Sequence, residues 1–362
     1  MKKAFLTTAL VAAAGMANAV DVELYGQVNK MLLAVDDGEN TDISVADTDF
    51  SSTRIGFKGA ETLDNGLTVS VLLETELQDN PSDQLTQNTG AGNSSTPTNS
   101  NSPASFSTRH ARVGVAGDFG AVFLGRQSEA ADGSSEQDLA GVRNLMYSDV
   151  NELLGQYRFR DNTGALQTER VDTFATNMDG GRNNALRYDS PVFNGFQGRI
   201  STSQGGDNQV GVFYKGKMDA FQIAAAFGYL MNNDADGTNT NRVESTMSGS
   251  VSVKHDSGLA GAFAYGQQEL EQAAANVDDP SFYYVKGGYA WDMFEVAVDY
   301  YKSEDTEIDA TKDEMTSVGL GAQMNLAKGV SVGATYRNYD ADKTGSNFEE
   351  IDTYGVNMRV KF

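Results

Sequence analysis

The chain is 362 residues long, carries 50 Asp and Glu against 27 Lys and Arg for a net charge of −23, and contains no cysteine and only five prolines. The acidic excess excludes a protein built to neutralise nucleic-acid phosphates, and the absence of cysteine excludes disulfide scaffolding, zinc thiolate sites and cysteine nucleophiles. No Pro-rich or charged linker divides the chain, so one large domain is expected.

At the start, Lys2 and Lys3 precede an apolar run from Ala4 to Met16 that closes on Ala17, Asn18 and Ala19. This is the pattern of a secretory signal peptide, residues 1–19, cleaved after Ala19 and leaving residues 20–362 as the mature domain. Because the segment holds two lysines and no acid, its removal moves the net charge from −23 to −25.

Beyond Ala19 no apolar run reaches the roughly 20 residues of a membrane helix, and the periodicity is two. Leu67, Val69, Val71 and Leu73 alternate with Thr68, Ser70 and Glu74, and Phe221, Ile223, Ala225, Phe227 and Tyr229 share one parity. Phe294, Val296, Val298 and Tyr300 alternate with Glu295, Ala297 and Asp299, and Val330, Val332, Ala334 and Tyr336 with Ser331, Gly333, Thr335 and Arg337. The last segment sets Tyr354, Val356, Met358, Val360 and Phe362 against Gly355, Asn357, Arg359 and Lys361. One face suits hydrocarbon and the other water, which is the signature of a transmembrane β-barrel.

Strands are predicted near residues 21–35, 50–61, 66–77, 106–117, 119–127, 182–190, 195–204 and 208–217, then 219–231, 242–256, 258–270, 280–291, 293–304, 312–325, 329–340 and 350–362. The total is sixteen, an even number, so the predicted fold is an all-β, sixteen-stranded antiparallel barrel. Asp64-Asn65-Gly66, Asp118-Phe119-Gly120, Lys217-Met218-Asp219, Asp256-Ser257-Gly258 and Lys328-Gly329 are tight turns, while the intervening connections are longer and polar. Tyr25, Phe57, Tyr214, Tyr229, Tyr289, Trp291, Tyr336 and Tyr354 fall near strand ends, as interfacial aromatic girdles do.

Two segments interrupt the rhythm. Gln78 to Ser105 is rich in Asn, Ser, Thr and Gly and is expected to be a mobile surface loop. Residues 128–181 hold Leu139, Leu145, Met146, Tyr147, Leu153, Leu154, Tyr157 and Phe159, an apolar content that calls for a packing partner.

Several stretches, in their order, resemble the trimeric general porins of Gram-negative outer membranes. They are Val22-Glu23-Leu24-Tyr25-Gly26-Gln27, Arg54-Ile55-Gly56-Phe57-Lys58-Gly59 with Leu63-Asp64-Asn65-Gly66-Leu67, Phe119-Gly120 leading to Leu124-Gly125-Arg126-Gln127, and Leu186-Arg187-Tyr188-Asp189-Ser190-Pro191 with Gly195-Phe196. The resemblance implies passive diffusion of small hydrophilic solutes and ions, without cofactor or metal. It also implies a homotrimer embedded in outer-membrane lipid and lipopolysaccharide. Phe362 at the terminus would be the signal read by the barrel-assembly machinery. By the same resemblance, residues 128–181 form a third loop that folds into the barrel and narrows it, although the family's Pro-Glu-Phe-Gly stretch is not present.

The resemblance places Arg54 and Arg109 on the basic wall of that constriction and Arg187 in a comparable place. Alternation independently puts Arg54 and Arg187 inside, because Ile55, Phe57, Leu186 and Tyr188 take the other parity. Arg109 shares parity with Val113 and Val115, so alternation prefers Arg112 in the lumen unless a bulge intervenes, and both stay candidates. The acidic candidates on the loop are Glu136, Asp138, Asp149 and Glu152. Arg126 shares parity with Val122 and Leu124 and points outward, where the resemblance implies a subunit contact. Lys58, Arg199, Lys254, Lys286, Arg337, Arg359 and Lys361 fall on lumen faces as wall charges.

Three other readings compete. The loops could make the barrel an adhesin or receptor, and alternation alone also fits a soluble extracellular β protein. His255-Asp256-Ser257 sets a histidine two residues from a serine, as a hydrolase would need, yet it lies at a tight turn where Asp and Ser are ordinary. The acidic excess favours a weak cation preference, and the arginines oppose it.

Overall fold

The computed structural model describes residues 20–87, 105–233, 242–271, 274, 277–309 and 311–362. The signal segment expected at 1–19 lies outside them. In chain order the barrel strands are β1 (Val22–Asp36), β2 (in two pieces, Thr41–Asp47 and Arg54–Thr62), β3 (Thr68–Gln78), β4 (Ser105–Gly117), β5 (Gly120–Ser128), β6 (Arg182–Asp189), β7 (Phe196–Ser203) and β8 (Asn208–Met218). They continue as β9 (Phe221–Met231), β10 (Arg242–His255), β11 (Leu259–Glu271), β12 (Ser281–Trp291), β13 (Phe294–Glu304), β14 (Asp313–Ala327), β15 (Val330–Lys343) and β16 (Ile351–Lys361).

Each strand pairs antiparallel with the next, and β1 pairs with both β2 and β16, so the sheet closes on itself. Among the described residues every barrel strand has a neighbour on both sides, the condition for β-structure in hydrocarbon. The seam is completed at the last residue: Gly26 and Phe362 exchange two backbone hydrogen bonds of 3.0 Å each.

The side chains are sorted inversely to a water-soluble protein. Leu124, Val356 and Phe227 on the outer face are 59%, 53% and 52% exposed, whereas the inner-face residues Ser317, Arg337 and Thr353 are all 0% exposed. Stacked Tyr289, Trp291 and Phe294 mark the short-turn end of the outer wall, and the pairs Tyr283–Tyr300 and Tyr336–Tyr354 mark the other.

The segment between β5 and β6 packs inside the barrel. Leu145, Met146, Val150, Leu153, Phe159 and Phe174 are fully buried against the inward Met31, Leu33, Phe282, Tyr301, Met315 and Tyr339 of the wall. This is the packing partner that the apolar content required. The segment contains a 3-10 turn at Val150–Glu152, a hairpin of Arg158–Arg160 with Leu166–Arg170 and one helical turn at Val171–Phe174, none of which the periodicity foretold.

Three further differences have local causes. Thr41–Asp47 continues β1 as a hairpin instead of lying in a loop, and β2 then buckles at Asp49–Ser51. Inward Gln27 and Asn29 hold that buckle, donating to the Ser51 carbonyl at 2.8 and 2.9 Å, and Gln27 also reaches the Ser52 carbonyl at 2.7 Å. The described part of the segment expected to be mobile is tied down: Leu154 and Gln156 donate their N–H groups to the carbonyls of Ser82 and Asp83. Finally, the β7–β8 connection is only Gln204 to Asp207, so the long-loop end is not uniformly long.

The closing seam generates a test. A Cβ on Gly26 would lie 2.6 Å from the Phe362 ring and 2.7 Å from the Arg54 carbonyl oxygen, part of it unyielding backbone. Overpacking of this kind costs about 1–3 kcal/mol. Gly26→Val is therefore expected to lower the temperature at which the folded band converts to the boiled position in detergent gels; an unchanged temperature would show that the seam tolerates the group.

Candidate pore constriction

The wall facing the loop is shaped to receive it. Ser248, Ser250 and Ser252 project inward at every second residue of β10, and an extended stretch of the loop runs along them. Ser134 and Ser248 share a hydroxyl hydrogen bond of 2.6 Å, and the backbone N–H groups of Gln137 and Leu139 donate to Ser250 and Ser252 at 2.9 Å each. Gly211 and Gly288, on the same inner surface, leave room for the carbonyls of Ala130 and Ala140, which a Cβ would strike.

Lys286 closes this attachment. Its ammonium donates to Asp138 Oδ2 at 2.7 Å, the Gly141 carbonyl at 2.6 Å and the Met146 carbonyl at 2.8 Å, satisfying all three protons with its side chain 0% exposed. Asp138, a sequence candidate for the acidic face, is thereby committed to an anchor, with its other oxygen accepting the Ala140 N–H at 2.7 Å. Arg337, expected as a wall charge, is likewise fully buried and reaches both oxygens of Asp299 at 2.9 and 2.7 Å.

The strand arginines lie as alternation and a bulge dictate. Glu74 pairs with His110 and Thr75 with Thr108, so Arg109 is the extra residue of a β-bulge. That bulge turns Arg109 inward without removing Arg112 from the same face, and both alternatives are realised. Arg109 Nε donates to Glu74 at 2.8 Å and its Nη1 to Glu76; Arg54 lies 3.7 Å from Glu74, which also accepts the Tyr25 hydroxyl at 2.8 Å. The basic wall is thus balanced by two strand carboxylates. Alternation put Glu74 on the inner parity, which Glu76 shares, but nothing in the sequence marked either as an ion partner.

Further down the wall, Arg112 stacks on the Phe123 ring at 4.0 Å and Arg187 sits over the same ring at 5.5 Å. Arg187 makes a two-point pair with Asp189 at 2.8 Å and donates to the Ser128 carbonyl at 2.7 Å, so it clamps the root of the loop. Arg126 is on the outer parity and donates to the Thr108 carbonyl at 2.6 Å.

Between loop and wall two cavities, of about 330 and 470 Å³, share Phe50, Ser51, Arg54 and Arg143 and so adjoin at those residues. Arg143 is the only basic residue between Gln127 and Arg158, and its place against Glu136 (2.8 Å) and over the Tyr147 ring (5.2 Å) was missed. The cavity toward the long loops gathers Asp49, Asp132, Glu136, Asp149 and Glu152 opposite Arg54, Arg109 and Arg182. Asp49 arrives there through the buckle in β2, which no sequence pattern announced. Removal from bulk water, then the charges of Glu136 and Asp83, pushes the Asp149 carboxyl up to about 8. The same causes, led by burial and then Asp149, hold Glu152 well above the usual carboxylate range.

The trio at the β10–β11 turn does not assemble as a catalytic relay. Ser257 Oγ lies 2.8 Å from His255 Nδ1, which also accepts the Ser257 backbone N–H, and Asp256 is paired with Lys217 at 2.9 Å.

The Gram-negative porin family model matches residues 6–344. The chain belongs to that family. Solved structures agree in fold: the anion-selective porin from Comamonas acidovorans is 17% identical with a TM-score of 0.64, covering 95% of this chain and 100% of that one. OmpF of Salmonella typhi, in complex with daunomycin, is 17% identical with a TM-score of 0.58 over 95% and 98%. A trimer form of OmpT from Vibrio cholerae is 16% identical with a TM-score of 0.58 over 95% and 100%. No curated protein matches by sequence. This porin is accordingly a passive channel of the outer membrane.

Removing the Lys286 anchor tests how the loop is held. Lys286→Ala leaves a buried carboxylate without its counter-charge and two carbonyls without this donor, a loss of about 3–5 kcal/mol for a broken buried pair. Noisier single-channel current with frequent partial closures is expected, along with new protease cleavage between residues 132 and 148; current as quiet as wild type would show that the serine contacts suffice.

Proposed function

We propose that this porin sorts small hydrophilic solutes and ions by size and charge at an eyelet formed by Arg54, Arg109 and Arg143 facing Glu136, Asp149 and Glu152. The observation that carries this reading is the gathering of opposed charges around the long-loop-side cavity, which meets the other cavity at Arg54 and Arg143. Opposed charges inside a low-dielectric ring set up a transverse field that orients dipolar solutes and makes entry of apolar ones unfavourable. Asp138 belongs to the anchor beneath the eyelet, and Arg112 and Arg187 to the wall under it. The arrangement requires no chemical step, and the His255 trio lacks an acid to orient its base.

Because Glu74 and Glu76 balance Arg54 and Arg109, the loop acids set the sign of the selectivity at the outer mouth, and a weak cation preference follows. Burial raises all three carboxyls above the usual range, Asp149 to about 8, so its ionisation adds negative charge as pH rises. The reversal potential across a salt gradient is expected to move toward cation preference as pH climbs through about 8, with Asp149→Asn removing most of the shift. A pH-independent potential, or anion preference throughout, would contradict the assignment. A protein silent in planar bilayers would instead favour the adhesin or receptor reading.

A homotrimer is part of the same proposal, supported by outward Arg126, whose charge is costly against lipid and is accommodated by a neighbouring subunit. Arg126→Glu is expected to convert a heat-sensitive oligomer into monomer on detergent gels with unchanged β content by circular dichroism. An oligomer of wild-type stability would remove Arg126 from the contact. Phe362 is proposed as the assembly signal, consistent with its place at the seam.

A further inference from the structure

The larger of the two cavities lies on the short-turn side of the narrowing, beneath residues 138–144 of the loop. Its charged lining is Arg54, Arg143, Arg359 and Lys361 against Asp138 and Glu295. Both acids are already occupied. Asp138 is held by Lys286 and the Ala140 N–H; Glu295 Oε2 accepts the Val142 N–H at 2.8 Å and Oε1 the Asn325 amide at 3.0 Å. Among the described residues, Arg359 and Lys361 have no carboxylate within ion-pair distance, while Arg54 pairs with Glu74 and Arg143 with Glu136.

Two buried amides at this cavity are left incomplete. Asn144 is 5% exposed and its Nδ2 has no acceptor; Gln323 is 6% exposed and its Oε1 has no donor. Buried polar groups without partners are rare, and these two border a chamber whose four cations outnumber its two carboxylates, of which Asp138 is already paired with Lys286. The chamber therefore offers guanidinium forks, an ammonium and an amide N–H to an acceptor-rich guest, and one acceptor to a hydroxyl or ordered water.

We propose that this chamber is a transient binding site for small multivalent oxyanions, carboxylate or phosphate, on the periplasmic side of the narrowing. The proposal rests on the reading of the chain as a diffusion channel and names the solute class held there. Oxyanions that pass the acid-lined mouth meet a compensating well, in which guanidinium groups match their paired oxygens and chloride does not. The well is shallow, because a channel needs its guest to leave.

The test is current block in a planar bilayer at low salt, with inorganic phosphate or succinate added on the short-turn side and chloride as reference. Wild-type protein is expected to be blocked by both probes at concentrations where added chloride only raises the current. Arg359→Gln with Lys361→Gln, and separately Asn144→Ala, are expected to raise the half-blocking concentration about tenfold or more, the effect of losing one charge-assisted contact. Lys254→Gln, outside the chamber, is expected to leave block unchanged. If the wild type conducts but neither anion blocks it, or if the variants are blocked like wild type, the binding site is wrong and the channel reading stands. Block by one probe alone assigns the site to that oxyanion. A wild type that carries no current overturns the channel reading and this site with it.

Discussion

Everything in the molecule depends on satisfying the backbone inside hydrocarbon. A strand crossing a membrane cannot lean on water for its N–H and C=O groups, so the sheet has to close, and in this chain closure runs through the last residue to Gly26. Once closed, a two-residue period sends alternate side chains to lipid and to the interior. Polar residues then gain an interior that is never in contact with lipid, and this permits Arg337, Lys286 and Glu74 to lie within the membrane-spanning wall.

The interior is not simply an aqueous tube. Part of it is packed like a protein core, with Leu145, Val150 and Phe174 of the loop buried against Tyr301, Met315 and Tyr339. Elsewhere it carries charges whose partners are settled in two groups. Anchors such as Lys286–Asp138 and Arg337–Asp299 have no solvent exposure to speak of and hold the loop and wall. Arg54, Arg143 and the outer acids instead border the open cavities. The same side-chain types thus have different consequences according to whether the loop covers them.

Alternation made the barrel legible: sixteen segments, their faces and most turns follow from period two, and the apolar content of residues 128–181 required a packed loop. Alternation also placed Arg54, Arg187, Lys286, Arg337, Arg359 and Lys361 on the correct face. It could not say which of these the loop would cover, because that depends on contacts between residues more than a hundred positions apart, as with Lys286 and Met146. Nor could it show the buckle at Asp49–Ser51 or the bulge at Arg109, since each breaks the period on which the reading relies. Resemblance named the loop but could not choose among its acids, and the geometry separates Asp138 from Asp149 and Glu152.

Because the chain has no cysteine, single cysteines can be placed along β16 and probed without background. The account predicts that Arg359→Cys and Lys361→Cys react with a water-soluble thiol reagent, that Thr353→Cys is shielded by the loop, and that Val356→Cys and Val360→Cys react only with a lipid-dissolved reagent. Aqueous labelling at Val356 with silence at Arg359, or labelling without a two-residue period, would contradict it.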